Sequence, residues 1–241
     1  ENAYNPTFAR QLGVDPERLI FSTPETLEES FQVMEETINS IREADPDTPI
    51  VIAYDSIAVS PSKAEYDAEN YDGNNMQGAI RAKATGACLR KINPLMRKHK
   101  VALVVINQIR SKVGVMYGNP ETMAAGGKSL DYYLGVNLKC ISNKTADLVR
   151  DDNKQVIGIT GTVRNTKNKV SIPFRECEFE LMYDEGLNAC AGMLKQLVLD
   201  NIVDQSGAWY SWNGVKFQRK EFDNSFSSGE KFAGLREAVG V

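Results

Sequence analysis

The sequence predicts an α/β fold with a mainly parallel sheet, helices on both faces, an antiparallel extension and a small α/β lobe at the C-terminus. Two strand-like apolar runs, Ile50–Tyr54 and Val101–Ile106, alternate with helix-like segments, which favours a parallel sheet. Both runs are continuous, as in strands covered on both faces. Shorter strand-like runs follow Gly135 and favour the antiparallel extension. We expect a core domain over residues 1–187 and a small C-terminal domain over residues 188–241.

The elements before the first long strand are predicted from the spacing of apolar residues and from the prolines that begin helices or turns. Residues 6–12 predict a short helix and residues 19–22 a short strand. Pro24-Glu25 should open a helix that runs to about Ala44, because apolar residues recur there at intervals of three or four: Leu27, Phe31, Met34, Ile38 and Ile41. A turn at residues 46–49 leads into the first strand.

The later elements are predicted in the same way. A polar loop over residues 60–75 precedes a helix over residues 77–97 and the second buried strand. The shorter strands are expected over residues 135–142, 156–164, 170–173 and 177–182. A helix from Asn188 to Asp200, an aromatic segment at Trp209–Trp212 and a polar tail would then form the C-terminal lobe.

Composition narrows the class of protein. The chain has 241 residues, of which 42% are hydrophobic and 25% charged, as in an ordinary soluble globular protein. We expect no membrane contact, because no apolar run approaches the ~18 residues of a membrane span, and no signal peptide. Four widely spaced cysteines predict reduced thiols and a cytoplasmic location. The one histidine, His99, is expected to be a solvated cation at a helix end rather than a catalytic base.

Charge is distributed very unevenly along the chain. Residues 1–72 carry 4 Lys/Arg and 16 Asp/Glu, a net charge of −12, whereas residues 73–144 carry 12 and 2, a net charge of +10. The overall charge of −4 therefore conceals a basic middle. Such a concentration of positive charge is the electrostatic footprint of a nucleic-acid surface.

Polar residues follow both predicted parallel strands. Asp55 ends the first strand, in the arrangement by which a Walker B carboxylate holds Mg²⁺. Gln108 follows the second strand, where an amide could contact a γ-phosphate. The strand ends should be neighbours, since ligands of open α/β sheets bind at the carboxyl ends of the strands. The alternatives are a capping or turn carboxylate at Asp55 and a capping amide at Gln108.

A long loop follows Gln108 and carries Arg110 and Lys112. Loops of this length inside a domain are usually functional, and this one is predicted to touch a polyanion. The run Gly126-Gly127-Lys128-Ser129 at its end is not a P-loop, because that motif requires glycine at position 122, which is Thr122. Lys167 and Lys169 lie between two predicted strands, and either face solvent or reach the phosphates of a neighbouring subunit.

Several of these motifs together resemble the RecA-type homologous recombinases of bacteria and phages. The resemblance runs from Glu1 to about Trp212, and is densest over residues 106–110, 118–122 and 126–127. Further matching segments are residues 8–10, 12–15, 167–169, 173–174 and 207–211. The resemblance implies a RecA-like P-loop NTPase core.

The resemblance also implies roles at the nucleotide. Glu1 aligns with the glutamate that orients the attacking water, Asp55 with the Walker B aspartate beside Ser56, and Gln108 with the glutamine that couples ATP to the DNA loops. Phe8 takes the place of an aromatic residue near the adenine, which Tyr183 would face from the neighbouring subunit. Lys167 and Lys169 match lysines that reach across the filament interface. The implied cofactors are ATP and Mg²⁺.

The implied DNA contacts lie in two loops and the helix between them. The first DNA loop corresponds to residues 60–78 and the second to residues 109–125. Matching DNA-binding positions are Lys83, Arg90, Arg110, Lys112, Val113, Gly126, Gly127 and Lys128, with Val113 as an apolar wedge between bases. The implied partners are single-stranded and double-stranded DNA and further copies of the protein in a helical filament. The setting would be DNA recombination, repair and the SOS response.

One departure qualifies the implied activity. The family's P-loop and N-terminal polymerisation helix lie upstream of the catalytic glutamate, and this chain begins at that residue, so we expect it to bind ATP poorly and to be inactive by itself. The full-length protein is expected to be a DNA-dependent ATPase and recombinase. The alternatives are a DNA-binding or filament-regulating module without ATPase activity, and a helicase or other motor on the same core fold.

Overall fold

The structure is a computed structural model that describes residues 4–68, 75–111, 121–123, 127–142 and 147–239. The chain divides into two compact units. The first comprises residues 1–5 and 17–134, and the second comprises residues 6–16 and 135–241. The division predicted at residue 187 stays a prediction.

The first unit alternates helices and strands. Its elements are α2 (Leu27–Ala44), β1 (Val51–Tyr54), α3 (Lys63–Tyr66), α4 (Asn75–His99), β2 (Ala102–Val105), β3 (Ile109–Ser111), β4 (Glu121–Met123) and α5 (Gly127–Tyr133). A helix α1 (Pro6–Gln11), which belongs to the second unit, and a 3₁₀ turn at Pro16–Arg18 precede them.

Helix α2 forms where its apolar stripe predicts it, although it begins three residues later than Pro24. Thr26 caps its N-terminus, since the side chain of Thr26 accepts a hydrogen bond from Glu29 N at 3.2 Å. Leu27, Phe31, Met34 and Ile38 are buried, in agreement with the predicted spacing, and pack with residues of β1, α4 and α5 in the core of this unit.

The ends of α2 and α4 are joined by one guanidinium. Arg42 donates hydrogen bonds to Thr48 O at 2.7 Å through Nη1 and to His99 O at 2.7 Å through Nη2. His99 therefore lies at a helix end, as predicted. Burial and the nearby charges of Lys98 and Arg42 lower the pKa of its imidazole.

Strands β1 and β2 pair in parallel, with Tyr54 opposite Val105. One face of the pair packs on the core through residues such as Ile52 and Leu103. The other face is open: Val51 is 70% exposed and Val104 is 53% exposed. The prediction that both strands are buried on both faces is therefore wrong for the described part of the chain, because no described element of this unit covers the second face.

Two further predictions in this unit are corrected. Residues 19–22 form no strand: the apolar run has no paired neighbour, and Phe21 instead stacks on Tyr4 with ring centroids 4.7 Å apart. The polar loop expected from residue 60 contains α3 before the described residues end at 68. That helix forms because Ser62 and Glu65 make a reciprocal capping box.

The second unit is built on an antiparallel sheet. Its strands are β5 (Val136–Ile141), β6 (Leu148–Arg150), β7 (Val156–Asn168), β8 (Glu176–Met182) and β9 (Gly186–Asn188), in the order β5-β7-β8-β9 with β6 also paired to β7. No ladder between described residues joins this sheet to β1 and β2. Antiparallel pairing thus predominates in the described residues, where the sequence predicted a mainly parallel sheet.

The strand predicted over residues 170–173 does not form. Strand β7 instead continues to Asn168, whose Oδ1 accepts hydrogen bonds from Val170 N and Ser171 N at 2.9 Å each. An asparagine that bonds the next backbone amides in this way makes a turn and ends the strand. The apolar residues beyond it are exposed, with Phe174 at 74%.

The residues after Trp212 fold around aromatic side chains, so the predicted polar tail is wrong. From Ala189 onward the elements are α6 (Ala189–Leu199), β10 (Asp204–Ser206), β11 (Trp209–Trp212), β12 (Val215–Gln218), α7 (Arg219–Ser225), a 3₁₀ turn (Glu230–Phe232) and α8 (Ala233–Val239). The last four of these follow Trp212. Phe217, Phe222, Phe226 and Phe232 are at most 2% exposed and their rings pack together. Phe222 stacks on Phe217 and Phe226 and meets Phe232 edge-on. We call this cluster the C-terminal aromatic core.

Candidate nucleotide and DNA-binding surfaces

The carboxyl ends of β1 and β2 lie side by side. Ile106 N donates to Tyr54 O at 3.0 Å, and Ile57 N donates to Ile106 O at 3.1 Å. This pairing brings the segment of Asp55 next to the segment of Gln108, as expected for neighbouring parallel strands. Both side chains are exposed at this edge of the sheet, whereas Ser56 is buried. We refer to this edge as the strand-tip edge.

Two hydrogen bonds made by hydroxyl groups stabilise the turn that begins at Asp55. Tyr54 Oη donates to Ser60 Oγ at 2.7 Å, and Ser60 Oγ donates to Ser56 O at 3.3 Å. Burial raises the pKa of the Tyr54 hydroxyl, which therefore stays protonated as a donor. The backbone around Asp55 is thus fixed by its pairing with the end of β2 and by the hydrogen bonds of Tyr54 and Ser60.

Gln108 leads directly into a β-hairpin. Its N–H donates to Asn107 Oδ1 at 2.9 Å, and the next residue begins β3. Strand β3 pairs antiparallel with β4, with Arg110 opposite Thr122. The sequence predicted a long loop here. Its described ends, residues 109–111 and 121–123, pair as the two strands of a hairpin, and Arg110 on the first strand is exposed.

Helix α4 carries two of the predicted DNA-binding cations. Lys83 and Arg90 are both exposed and are seven residues apart, so they lie on one face about two turns apart. Lys91 on the same helix pairs with Glu35 of α2, Nζ to Oε2 at 2.6 Å. Arg81 turns inward instead and belongs to no motif recognised in the sequence.

The remaining predicted positions fall in three groups. Glu1, Lys112, Val113 and Gly126 lie outside the described residues. Gly127 and Lys128 begin α5, of which only the backbone is described at these positions. Phe8, Lys167, Lys169 and Tyr183 belong to the second unit.

In the second unit, both lysines lie near the end of β7. Lys167 pairs with Asn137 of β5, and Lys169 N donates to Gly135 O at 2.8 Å. Tyr183 is 50% exposed directly after β8, and its N–H donates to Ile157 O at 2.9 Å.

Helix α1 carries Phe8, which is 41% exposed. Leu12 follows this helix and lies so close to Gly186, the first residue of β9, that an added Cβ would be 2.8 Å from Leu12 Cδ2. The residue after α1 therefore contacts a strand that begins three residues beyond Tyr183.

The residues at the strand-tip edge fit a hydrated Mg²⁺ ion. Such an ion needs only one or two carboxylates and completes its shell with water and phosphate oxygens. The exposed carboxylate of Asp55 is an oxygen donor of that kind. In the described ranges, no group of three or more His, Cys, Asp or Glu side chains forms an all-protein metal cage. No helix in these ranges is long and apolar enough to cross a membrane.

Comparison with known proteins gives consistent matches. The sequence model described as the RecA N-terminal domain matches residues 1–188. The chain is 36% identical over 216 residues to Protein RecA of Thioalkalivibrio sulfidiphilus, covering 90% of this chain and 59% of that protein. It is 36% identical over 216 residues to Protein RecA of Clostridioides difficile, covering 90% and 58%. It is 38% identical over 215 residues to Protein RecA of Heliobacterium modesticaldum, covering 89% and 58%. The chain therefore spans somewhat more than half the length of these curated relatives.

Proposed function

This chain belongs to the RecA family, and from that premise we propose that it is part of an ATP-dependent DNA recombinase. This recombinase, which we call the parent protein, polymerises on single-stranded DNA and catalyses homologous pairing and strand exchange in recombination and repair. One observation carries the proposal. The strand-tip edge continues without a break, through Asn107 and Gln108, into the hairpin that presents Arg110.

The strand-tip edge supplies the nucleotide side. Asp55 would hold a hydrated Mg²⁺ ion, which would neutralise phosphate charge, and Ser56 beside it belongs to the nucleotide site. Gln108 hydrogen-bonds the terminal phosphate and so links the presence of ATP to the position of the hairpin. Glu1 orients the attacking water, and Phe8 lies near the adenine.

A neighbouring copy completes the nucleotide site. Lys167 and Lys169 reach the phosphates of that copy, where a cation supplied in trans stabilises developing charge. Tyr183 faces the adenine across the same interface. Filament formation and ATP turnover are therefore coupled, because part of each site belongs to the next subunit.

The basic middle of the chain supplies the DNA side. Lys83 and Arg90 on α4, and Arg110 and Lys112 in and beyond β3, contact phosphates. Such contacts are independent of sequence and weaken with salt. Val113 separates bases, and Gly126, Gly127 and Lys128 approach the backbone. Homology is then tested by base pairing, and the cytoplasmic and SOS setting implied by the family belongs to the same proposal.

The salt dependence of DNA binding tests the proposal. In the parent protein, Arg110→Ala should lower the slope of log Kobs against log[salt] for single-stranded DNA by about 0.7, because one phosphate contact is lost. At 0.1 M salt this corresponds to a roughly fivefold weaker complex. Lys216→Ala, which removes an exposed cation from β12, serves as the control and should leave the slope unchanged. An unchanged slope in Arg110→Ala would contradict the assignment of the hairpin to DNA.

A further inference from the structure

Arg81 is the one inward-facing guanidinium among the described residues of α4. Its Nη1 donates to Ala58 O at 3.2 Å, while Nε and Nη2 donate to Glu65 Oε1 at 3.3 and 3.0 Å. The side chain of Arg81 is 27% exposed and that of Glu65 is 10% exposed. Three donors of one planar group are therefore engaged at once, in a geometry that the ammonium of lysine cannot reproduce.

The first partner of Arg81 belongs to the strand-tip edge. Ala58 lies three residues beyond Asp55, and the segment between them is rigid. Ile57 is fully buried, Ala58 is 2% exposed, and the hydrogen bond from Ile57 N to Ile106 O ties the segment to the end of β2. A shift of Asp55 therefore moves the carbonyl that Arg81 binds, because closely packed segments transmit displacement.

The second partner is held as firmly. Glu65 uses Oε2 to accept from Ser62 N at 2.7 Å and from Ser62 Oγ at 2.9 Å, which leaves Oε1 for Arg81. Burial alone would raise the pKa of Glu65, but the bonds from Ser62 and Arg81 lower it overall. Lys63 N donates to Glu28 Oε2 at 2.8 Å, so α3 is anchored on α2.

On its own helix, Arg81 continues the buried stripe. Thr85 is fully buried and donates from Oγ1 to Arg81 O at 2.8 Å, and Leu89 is 3% exposed one turn further on. Lys83 and Arg90 share another face of α4 and are exposed. Arg81 can therefore set the position of this end of α4 while the neighbouring cations stay available to a ligand.

We propose that Arg81 is a positioning residue that couples the strand-tip edge to the DNA-facing cations of α4. This inference rests on the proposed function and adds a second route beside the one through Gln108. Nucleotide at Asp55 fixes the turn 55–59, the turn holds Arg81, and Arg81 holds α4 so that Lys83 and Arg90 face the DNA strand. By reciprocity, DNA bound to α4 strengthens nucleotide binding by the same factor.

The ratio of two DNA affinities in the parent protein measures this coupling. The dissociation constant for single-stranded DNA is determined with a non-hydrolysable ATP analogue and again without nucleotide. Arg81→Lys keeps the positive charge but loses the planar guanidinium that binds Ala58 and Glu65 together. The ratio of DNA affinity with nucleotide to DNA affinity without it should therefore fall about fivefold or more, while the nucleotide-free affinity stays within about twofold. Glu65→Gln should lower this affinity ratio as well, because it weakens the bond between Arg81 and its second partner.

A matched control sits on the same helix. Lys91→Ala removes another paired cation of α4, one bound to Glu35 and away from the turn 55–59, and should leave the ratio unchanged. Thermal melting identifies the variants that fold, and Glu65→Gln decides the matter where Arg81→Lys does not.

Three outcomes would overturn the inference. An unchanged ratio in the folded variants would do so, since a purely structural role lowers stability without altering linkage. An equal loss in both nucleotide states with a smaller salt slope would make Arg81 a direct phosphate contact. If the wild-type protein binds DNA equally well with and without the ATP analogue, the proposed function itself is refuted, and with it the coupling through Arg81.

Discussion

Removing the ring of Phe222 should unfold the C-terminal aromatic core at much lower denaturant. The side chain is fully buried, and its ring centroid lies 5.7 Å from that of Phe217, 4.4 Å from that of Phe226 and 5.4 Å from that of Phe232. Replacing a buried phenylalanine by alanine costs ~3–5 kcal/mol in free energy of unfolding, through lost burial and the cavity left behind. The same change removes two stacked aromatic contacts, to Phe217 and Phe226, and one edge-on contact, to Phe232.

The sequence provides a local reporter for this experiment. The chain has two tryptophans, and both lie in β11, where Trp212 packs against the aromatic core. Urea unfolding followed by tryptophan fluorescence therefore reports on this part of the chain. With an m-value of about 2 kcal/mol/M, Phe222→Ala should lower the midpoint by about 1.5–2.5 M.

A phenylalanine on the surface of the same unit serves as the control. Phe174 is 74% exposed, so Phe174→Ala should change the free energy of unfolding by less than about 0.5 kcal/mol. A loss below about 1 kcal/mol in Phe222→Ala, or equal losses in both variants, would refute the packing described for residues 217–232.

Two further predictions concern the first unit. In the parent protein, Lys83→Ala and Arg90→Ala should each lower the salt slope of single-stranded DNA binding by about 0.7, because residues about 10 Å apart contact different phosphates. Lys91→Ala should leave this slope unchanged. Equal slopes in all three variants would contradict the assignment of α4 to the DNA-binding surface. In this chain, the stability difference between wild type and Glu65→Gln should be greatest above about pH 5 and shrink as the pH falls. The lowered pKa of Glu65 contributes stability only while the carboxylate is ionised. Urea unfolding across pH measures this difference, and a constant one would contradict that role of Glu65.

The parts of the fold that depend on local pattern could be predicted from the sequence. The stripe of α2 is buried as its spacing requires, and the two strand ends meet because consecutive parallel strands share an edge. Residues 19–22 form no strand despite their apolar pattern, since an apolar run becomes a strand only where another strand pairs with it. The polar appearance of the C-terminal residues concealed four phenylalanines, because Phe217, Phe222, Phe226 and Phe232 are spread over a strand, a helix and its C-cap, and a 3₁₀ turn and follow no single period.

The candidate site divides in the same way. Asp55, Gln108 and Arg110 could be named from the sequence because each lies at or next to the end of a recognisable element. Arg81 could not, because its partners Ala58 and Glu65 are 23 and 16 residues away. A partial signal was present in Ser62-Lys63-Ala64-Glu65, which has the spacing of a capping box. That spacing predicts a helix start and fixes one oxygen of Glu65, but says nothing of the cation that binds the other.

Strand exchange between homologous oligonucleotides by the parent protein, with Gln108→Ala as the variant, tests whether ATP and DNA are coupled through Gln108. In the proposed function the side-chain amide of Gln108 binds the terminal phosphate, and its backbone leads directly into the hairpin that carries Arg110. We expect wild-type protein to exchange homologous strands only with ATP, and Gln108→Ala to lose exchange and ATP-enhanced DNA affinity while it still binds DNA without nucleotide. Exchange at the wild-type rate in Gln108→Ala, or no exchange by the wild-type protein with ATP, would contradict the account.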